Sequence, residues 1–187
     1  MDFEPVNITP RNTNSLIVRE GKKTYAFDPW GTPEQWKGRG VSTVFVTHGH
    51  FDHVSALVGW DVSWYMDLND RPALDWSSMF LPGTPTRAPR DLSDAPPVGD
   101  MQIIKTPGHT AGGVCFYFPS AKILLSGDTL FYDTIGRTDL PHSDHAKMLE
   151  SIQALKNYGF AEDVMVIPGH GRHGYWGDVL RGNPFLK

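Results

Sequence analysis

Val44-Phe45-Val46-Thr47-His48-Gly49-His50-Phe51-Asp52-His53 passes from an apolar run directly into four residues able to ligate a metal. A short β-branched and aromatic run of this kind is strand material, and the glycine and polar residues after it mark the strand's end. In an extended or turning segment, side chains two apart share a face, so His48 and His50 project together. Asp52 and His53 follow as the chain curls toward a helix. One loop therefore offers imidazoles to one metal and a carboxylate with an imidazole to a neighbour. A solvated turn that happens to be rich in histidine is the plainer alternative, but four ligand-type side chains within six residues favour metal binding.

Further candidates lie at the ends of later apolar runs. His109 sits in TPGHTAGG after Gln102 to Lys105, Asp128 in LLSGDTLF after Ile123 to Leu125, and His170 in VIPGHG after Val164 to Ile167. Taken singly, a His or Asp at a strand end is more often a turn residue than a ligand. Together with the first loop they give five of the eight histidines a common task. A glycine beside His50, His109, Asp128 and His170 lets backbone approach a crowded centre. His142, His145 and His173 are left as helix-start or surface residues.

The same punctuation recurs along the chain. Strand-like runs are expected at Ser15 to Arg19, Lys23 to Phe27, Thr43 to Thr47, Ser63 to Met66, Gln102 to Lys105, Val114 to Phe118, Ile123 to Leu125 and Val164 to Ile167. Helices are expected at His53 to Gly59, Leu68 to Phe80, Asp144 to Tyr158 with Ser143 as N-cap, and Tyr175 to Arg181. Strands cluster rather than alternate with helices, which points to an α+β chain of two sheets with peripheral helices. The proline-rich stretch from Leu81 to Gly99 reads as a surface connection bordering the site. With 187 residues the chain is sized for one domain spanning 1–187. Nineteen glycines and 15 prolines make it rich in turns.

Composition narrows the function classes. A net charge of -4 without a dense basic run argues against nucleic acid or an anionic membrane as partner. No run approaches the roughly 18 apolar residues of a membrane span, and Met1 to Pro10 has no secretory pattern. The lone Cys115, within a strand, forbids an intrachain disulfide and reads as a small core residue. These features lead us to expect a cytoplasmic protein acting on a small-molecule substrate. Its oligomeric state is left open.

The H-x-H-x-D-H loop at His48, His50, Asp52 and His53, with His109, Asp128 and His170, resembles the metallo-β-lactamase-fold hydrolases. The strings GDTLF (Gly127 to Phe131) and GRTDLP (Gly136 to Pro141) are similar to those of its glyoxalase II-like, or hydroxyacylglutathione hydrolase-like, branch, and Asn183-Pro184-Phe185-Leu186 resembles the ending of the short bacterial members. The resemblance implies a four-layer αββα sandwich of two mixed sheets with helices on the outer faces. It also implies two divalent metal ions, most simply zinc, with iron or manganese as alternatives. His48, His50 and His109 would take one metal, and Asp52, His53 and His170 the second. Asp128 would bridge them, and a shared hydroxide would attack a small thioester or related ester. Asp52 is the candidate proton shuttle. Class B β-lactamases match less well, because their second site commonly has a cysteine where this chain has Asp128.

Residues around the ligands remain as candidates for the substrate pocket or for support of the ligands. Arg137 is either a solvated charge or, with Asp139, a group orienting a metal-bound histidine through its other ring nitrogen. Thr47 and Thr110 are expected to fix the loops through hydroxyl-to-backbone bonds. Tyr65, Trp76, Met79, Phe80, Phe131, Tyr132, Tyr175 and Trp176 supply apolar surface. The resemblance places glutathione contacts in a C-terminal helical region, whereas the residues after His170 leave room for one short helix. A competing function, from a related family with a GRTD string, is a mononuclear iron persulfide dioxygenase using His48, His109 and Asp128.

Overall fold

A computed structural model describes residues 1–6 and 13–187. The first sheet holds β1 (Asp2–Val6), β2 (Ser15–Glu20), β3 (Lys23–Phe27), β4 (Thr43–Phe45), β5 (Ser63–Met66) and β6 (Arg90–Asp91), in that spatial order. Its first two pairings are antiparallel and the next three parallel. The second sheet runs β11 (Gly174–Tyr175), β10 (Met165–Pro168), β9 (Ile123–Gly127), β8 (Val114–Phe118), β7 (Gln102–Lys105), with β9 and β10 parallel and the other pairs antiparallel.

Strand periodicity of two explains how these sheets stack. Along β2, Leu16 and Val18 enter the layer between the sheets while Ile17 faces the opposite way. Along β8, Val114, Phe116 and Phe118 point into the same layer and Cys115 points out. Central strands such as β2, β3, β8 and β9 are thus buried on both faces, which is why they read as continuous apolar runs, while the edge strands β1, β6, β7 and β11 stay largely exposed. Phe27, Phe45 and Phe116 meet between the sheets with ring centroids 5.1–5.9 Å apart.

Helices α1 (Pro33–Trp36), α2 (Phe51–Val54) and α3 (Arg71–Ser77) cover the outer face of the first sheet, where Trp36, Val54 and Leu74 pack on Val44 and Trp64. On the second sheet, α4 (His145–Lys156) and α5 (Trp176–Gly182) lay Met148, Ile152, Leu155, Trp176 and Val179 over Cys115, Leu124 and Val166. The result is the expected α+β sandwich of four layers. Among the described residues no helix is long and apolar enough to cross a membrane.

Several boundaries depart from expectation. The strand beginning at Thr43 stops at Phe45, because Val46 and Thr47 already turn toward the ligand loop, and the one expected at Val164 is Met165–Pro168. Asp144, not Ser143, caps α4 by accepting from the Lys147 N–H at 3.1 Å, while the Ser143 hydroxyl donates to the His109 carbonyl at 2.8 Å. The proline-rich stretch runs back along the first sheet instead of bordering the ligands. It contributes β6, and its Arg87 carbonyl accepts from the Trp64 indole at 2.7 Å.

Candidate metal centre

Turns at the C-terminal ends of β4, β7, β9 and β10, with the first residues of α2 after β4, carry the seven ligand candidates, and the sandwich brings all of them together. Three groups have ligand atoms mutually within 4.8 Å: His48, His50 and His109; His48, His53 and Asp128; and Asp52, His53 and His170. His50 Nδ1 lies 3.1 Å from His48 Nε2 and 2.9 Å from His109 Nε2. Asp128 turns Oδ1 toward His53 Nε2 and Oδ2 toward His109 Nε2 and His170 Nε2, each at 3.5 Å. Asp52 Oδ2 is 3.0 Å from His170 Nε2 and 4.0 Å from His53 Nε2.

Hydrogen bonds behind the rings decide which nitrogens face inward. Nδ1–H of His109 donates to the Arg137 carbonyl at 2.8 Å, that of His53 to Asp28 Oδ2 at 3.0 Å, and that of His48 to the Thr47 hydroxyl at 3.1 Å. Each ring is thereby oriented with Nε2 toward the centre, the nitrogen a metal would take. Asp28 is a key residue that sequence reasoning missed. Its carboxylate also accepts from the Thr47 N–H and hydroxyl, both at 2.7 Å, and its own backbone sits at φ 47°, a conformation that asparagine and aspartate tolerate best among side-chain-bearing residues.

Asp70, also missed, ties two ligand loops together. It is fully buried and accepts from the Gly49 N–H at 2.5 Å and the Gly112 N–H at 2.7 Å. Gly49 must be glycine here, since a Cβ would lie 2.8 Å from the Leu74 amide nitrogen; at Gly169 a Cβ would collide with Asp128 Oδ1. A third support comes from Asn14, whose side-chain amide donates to the Pro168 and Gly171 carbonyls at 2.9 Å on either side of His170.

Electrostatics follow from burial and partners. Burial, reinforced by the neighbouring imidazoles, pushes His48 well below its usual range and His50 down to about 4, so both are neutral at pH 7, as ligands must be. For His53, burial works against the charge, yet Asp28 and Asp52 outweigh it and raise the pKa well above normal. His170 is likewise raised against its burial, by the Asp52 hydrogen bond and by Asp128. Asp52 and Asp128 are held low despite burial by His53 and His170. His53 Nε2 and Asp128 Oδ1 are buried without a hydrogen-bond partner. Unpaired buried polar atoms of opposite sheets facing each other, together with three converging imidazole nitrogens, fit a centre built for cations.

Other candidates fall differently. Arg137 and Asp139 pair with each other at the surface through bonds of 2.7 and 2.8 Å, and it is the Arg137 main-chain carbonyl, not either side chain, that orients His109. The Thr47 hydroxyl bonds a carboxylate instead of backbone, and the Thr110 hydroxyl is buried without a partner. Phe131 stands 6.3 Å from the His170 ring. Tyr132 lies under the Arg172 guanidinium at 3.4 Å and, with exposed Tyr175, lines a separate groove reaching Phe3 and Leu16. Tyr65 and Trp176 are core residues. At the mouth of the centre, a cavity of about 310 Å³ is lined by His50, Asp52, His109 and Asp128 together with Phe51, Trp76, Phe80, Arg137 and Leu140. Cys115 is fully buried, its thiol pushed up to about 12 by that burial, and takes no part.

A two-sheet sandwich with imidazoles and carboxylates gathered on its strand-end turns defines a class of metal-centred enzyme. The chain belongs to the metallo-beta-lactamase superfamily, whose model matches residues 8–170. Over its whole length it is 30% identical to Probable metallo-hydrolase YqgX of Bacillus subtilis, covering 98% of that protein, and 28% identical to hydroxyacylglutathione hydrolase GloC of Haemophilus influenzae, covering 99%. Among solved structures, TTHA1623 in a di-iron-bound form superposes with a TM-score of 0.85 at 30% identity, over 98% of this chain and all of that one. The BLEG-1 B3 metallo-beta-lactamase does so with 0.83 at 32%, over the full length of both. Family and site together make the chain a metal-dependent hydrolase of this superfamily.

Proposed function

We propose that the chain is a dinuclear metal hydrolase of a small thioester of the hydroxyacylglutathione kind, or of a related ester. The observation that carries this reading is the pair of ligand groups joined through Asp128. His48, His50 and His109 would hold one ion, Asp52, His53 and His170 the other, with one Asp128 oxygen available to each. The nitrogen and oxygen donors suit zinc, and iron or manganese accept the same set. Such ions, when bound, would lower the pKa of a bound water and polarise a substrate carbonyl.

The chain's own groups do the rest. Asp28, Thr47 and the Arg137 carbonyl fix ring orientation, so little reorganisation is needed when charge develops at the carbonyl oxygen. In this reading Asp52, which lines the cavity and lies 3.0 Å from His170, would take up a proton and deliver it to the departing group. A thiolate leaves readily without a proton donor, which makes a thioester an apt substrate for such a site.

The test is metal content and stoichiometry of protein purified without added metal, followed by assay of lactoylglutathione, simple esters, a β-lactam and glutathione persulfide. Two ions per chain with thioester cleavage support the proposal. Preference for the β-lactam would replace the substrate, and one iron with oxygen uptake on the persulfide would overturn the reaction class.

A further inference from the structure

Beside His50 the molecule keeps a run of aromatic side chains that the ligand groups do not need. Trp76 of α3 sits edge-on to the His50 ring with centroids 5.9 Å apart, Phe80 packs edge-on to Trp76 at 5.2 Å, and Phe51 of α2 meets Phe80 at 5.9 Å. With Leu140 they wall the cavity that opens on the ligands. Phe80 remains 56% exposed and Phe51 37% exposed. Contiguous large apolar side chains left in water at a cavity mark a place where an apolar group binds, because covering them recovers the burial that folding left undone. The cation of that cavity, Arg137, already has Asp139 as its partner, so the wall and not a charge dominates recognition here.

We propose that the reacting carbonyl is joined, within one or two bonds, to a phenyl-sized flat or branched apolar group that stacks on Trp76 and Phe80. This rests on the thioester or ester reading above and narrows it. A cavity of about 310 Å³ accommodates a ring together with the carbonyl, whereas a methyl or hydroxymethyl group leaves most of the wall in water. Edge and face contacts with the two rings then add to simple burial. Such a ring can belong to the acyl group or to the leaving group, and the two sources are separable.

The metal-loaded protein is assayed with S-phenylacetyl-N-acetylcysteamine, S-acetyl-N-acetylcysteamine and phenyl thioacetate. The expected result is a kcat/KM, each divided by that substrate's rate of hydrolysis by free hydroxide, on the order of tenfold higher for one phenyl-bearing substrate than for the acetyl cysteamine ester, which also says on which side the ring enters. Phe80→Ala and Trp76→Leu should each bring that ratio down toward unity. A ratio near unity in the natural protein, or equal losses on all substrates in both variants, overturns the inference. Should no thioester be cleaved at all, the hydrolase reading fails separately, and binding still decides this one. The uncleavable thioether S-phenacyl-N-acetylcysteamine is expected to quench tryptophan fluorescence and to bind on the order of tenfold tighter than S-acetonyl-N-acetylcysteamine. Equal affinities sink the proposal.

Discussion

Asp128 and Asp28 show how differently two buried carboxylates serve one centre. Asp128 presents an oxygen to each half of the histidine cluster and has Oδ1 otherwise unpartnered. Asp128→Ala should therefore remove metal and activity together; atomic absorption that still finds two ions per chain, with full turnover, contradicts its bridging position. Asp28 lies one bond further out, behind His53 and Thr47. Asp28→Asn keeps the shape but weakens the grip on the His53 ring, and partners of this kind typically cost about 10–100-fold in metal affinity when altered. If two ions bind as proposed, chelator competition should show that loss in one of them before the other. Uniform loss of both would mean that Asp28 supports the whole loop and not His53.

The gathering of these seven side chains was legible in the sequence because each is local: an apolar run, a small residue, a ligand-type side chain, a turn. What supports those ligands was not. Asp28 and Thr47 are 19 residues apart, Asp70 and Gly112 are 42 apart, and Asn14 reaches Gly171 across 157. The Arg137 contact runs through a main-chain carbonyl, which leaves no mark on residue type. Elements escaped for similar reasons: β1 carries Pro5 on a sheet edge, and β6 is two residues long.

Asp70 shows what such a hidden contact does at the level of elements. It ends a 3-10 turn, Leu68–Asp70, that leads into α3, and it fastens that turn to both the His48–His50 loop and the segment after His109. Burial raises its pKa, against the two amide bonds that favour the charged form. In Asp70→Asn, one of the two N–H groups faces a donor. Losing a buried acceptor costs about 1–3 kcal/mol, and removal of a buried charge returns part of it. For a chain of this size each kcal/mol moves the melting temperature by about 2–4 °C. A drop of several degrees is expected in differential scanning calorimetry, with metal affinity falling too because two loops are released at once. An unchanged melting temperature would show that Asp70 is not the clamp its contacts describe.

Across the whole molecule, the centre is where the two sheets are joined by chemistry as well as packing. His48, His50, Asp52 and His53 follow a strand of the first sheet, while His109, Asp128 and His170 follow strands of the second. Metal bound there as proposed would cross-link the sheets and bind only the folded chain, so loading should raise stability, by about 2.7 kcal/mol at a free metal concentration one hundred times the dissociation constant. The sign of its pH dependence follows from the protons displaced. His53 and His170 have raised pKa values in the metal-free protein. Their stabilising charge pairs are complete below the ordinary histidine pKa and fade as pH rises through the raised values. The metal competes with those same protons, so its own contribution grows as pH rises. Melting curves with and without zinc at pH 6, 7 and 8 should therefore diverge progressively, the metal-free protein losing stability as the metal-induced increment widens. An increment that stays constant or shrinks over this range would mean that His53 and His170 do not surrender protons on loading, and hence that the second group of ligands does not bind the ion.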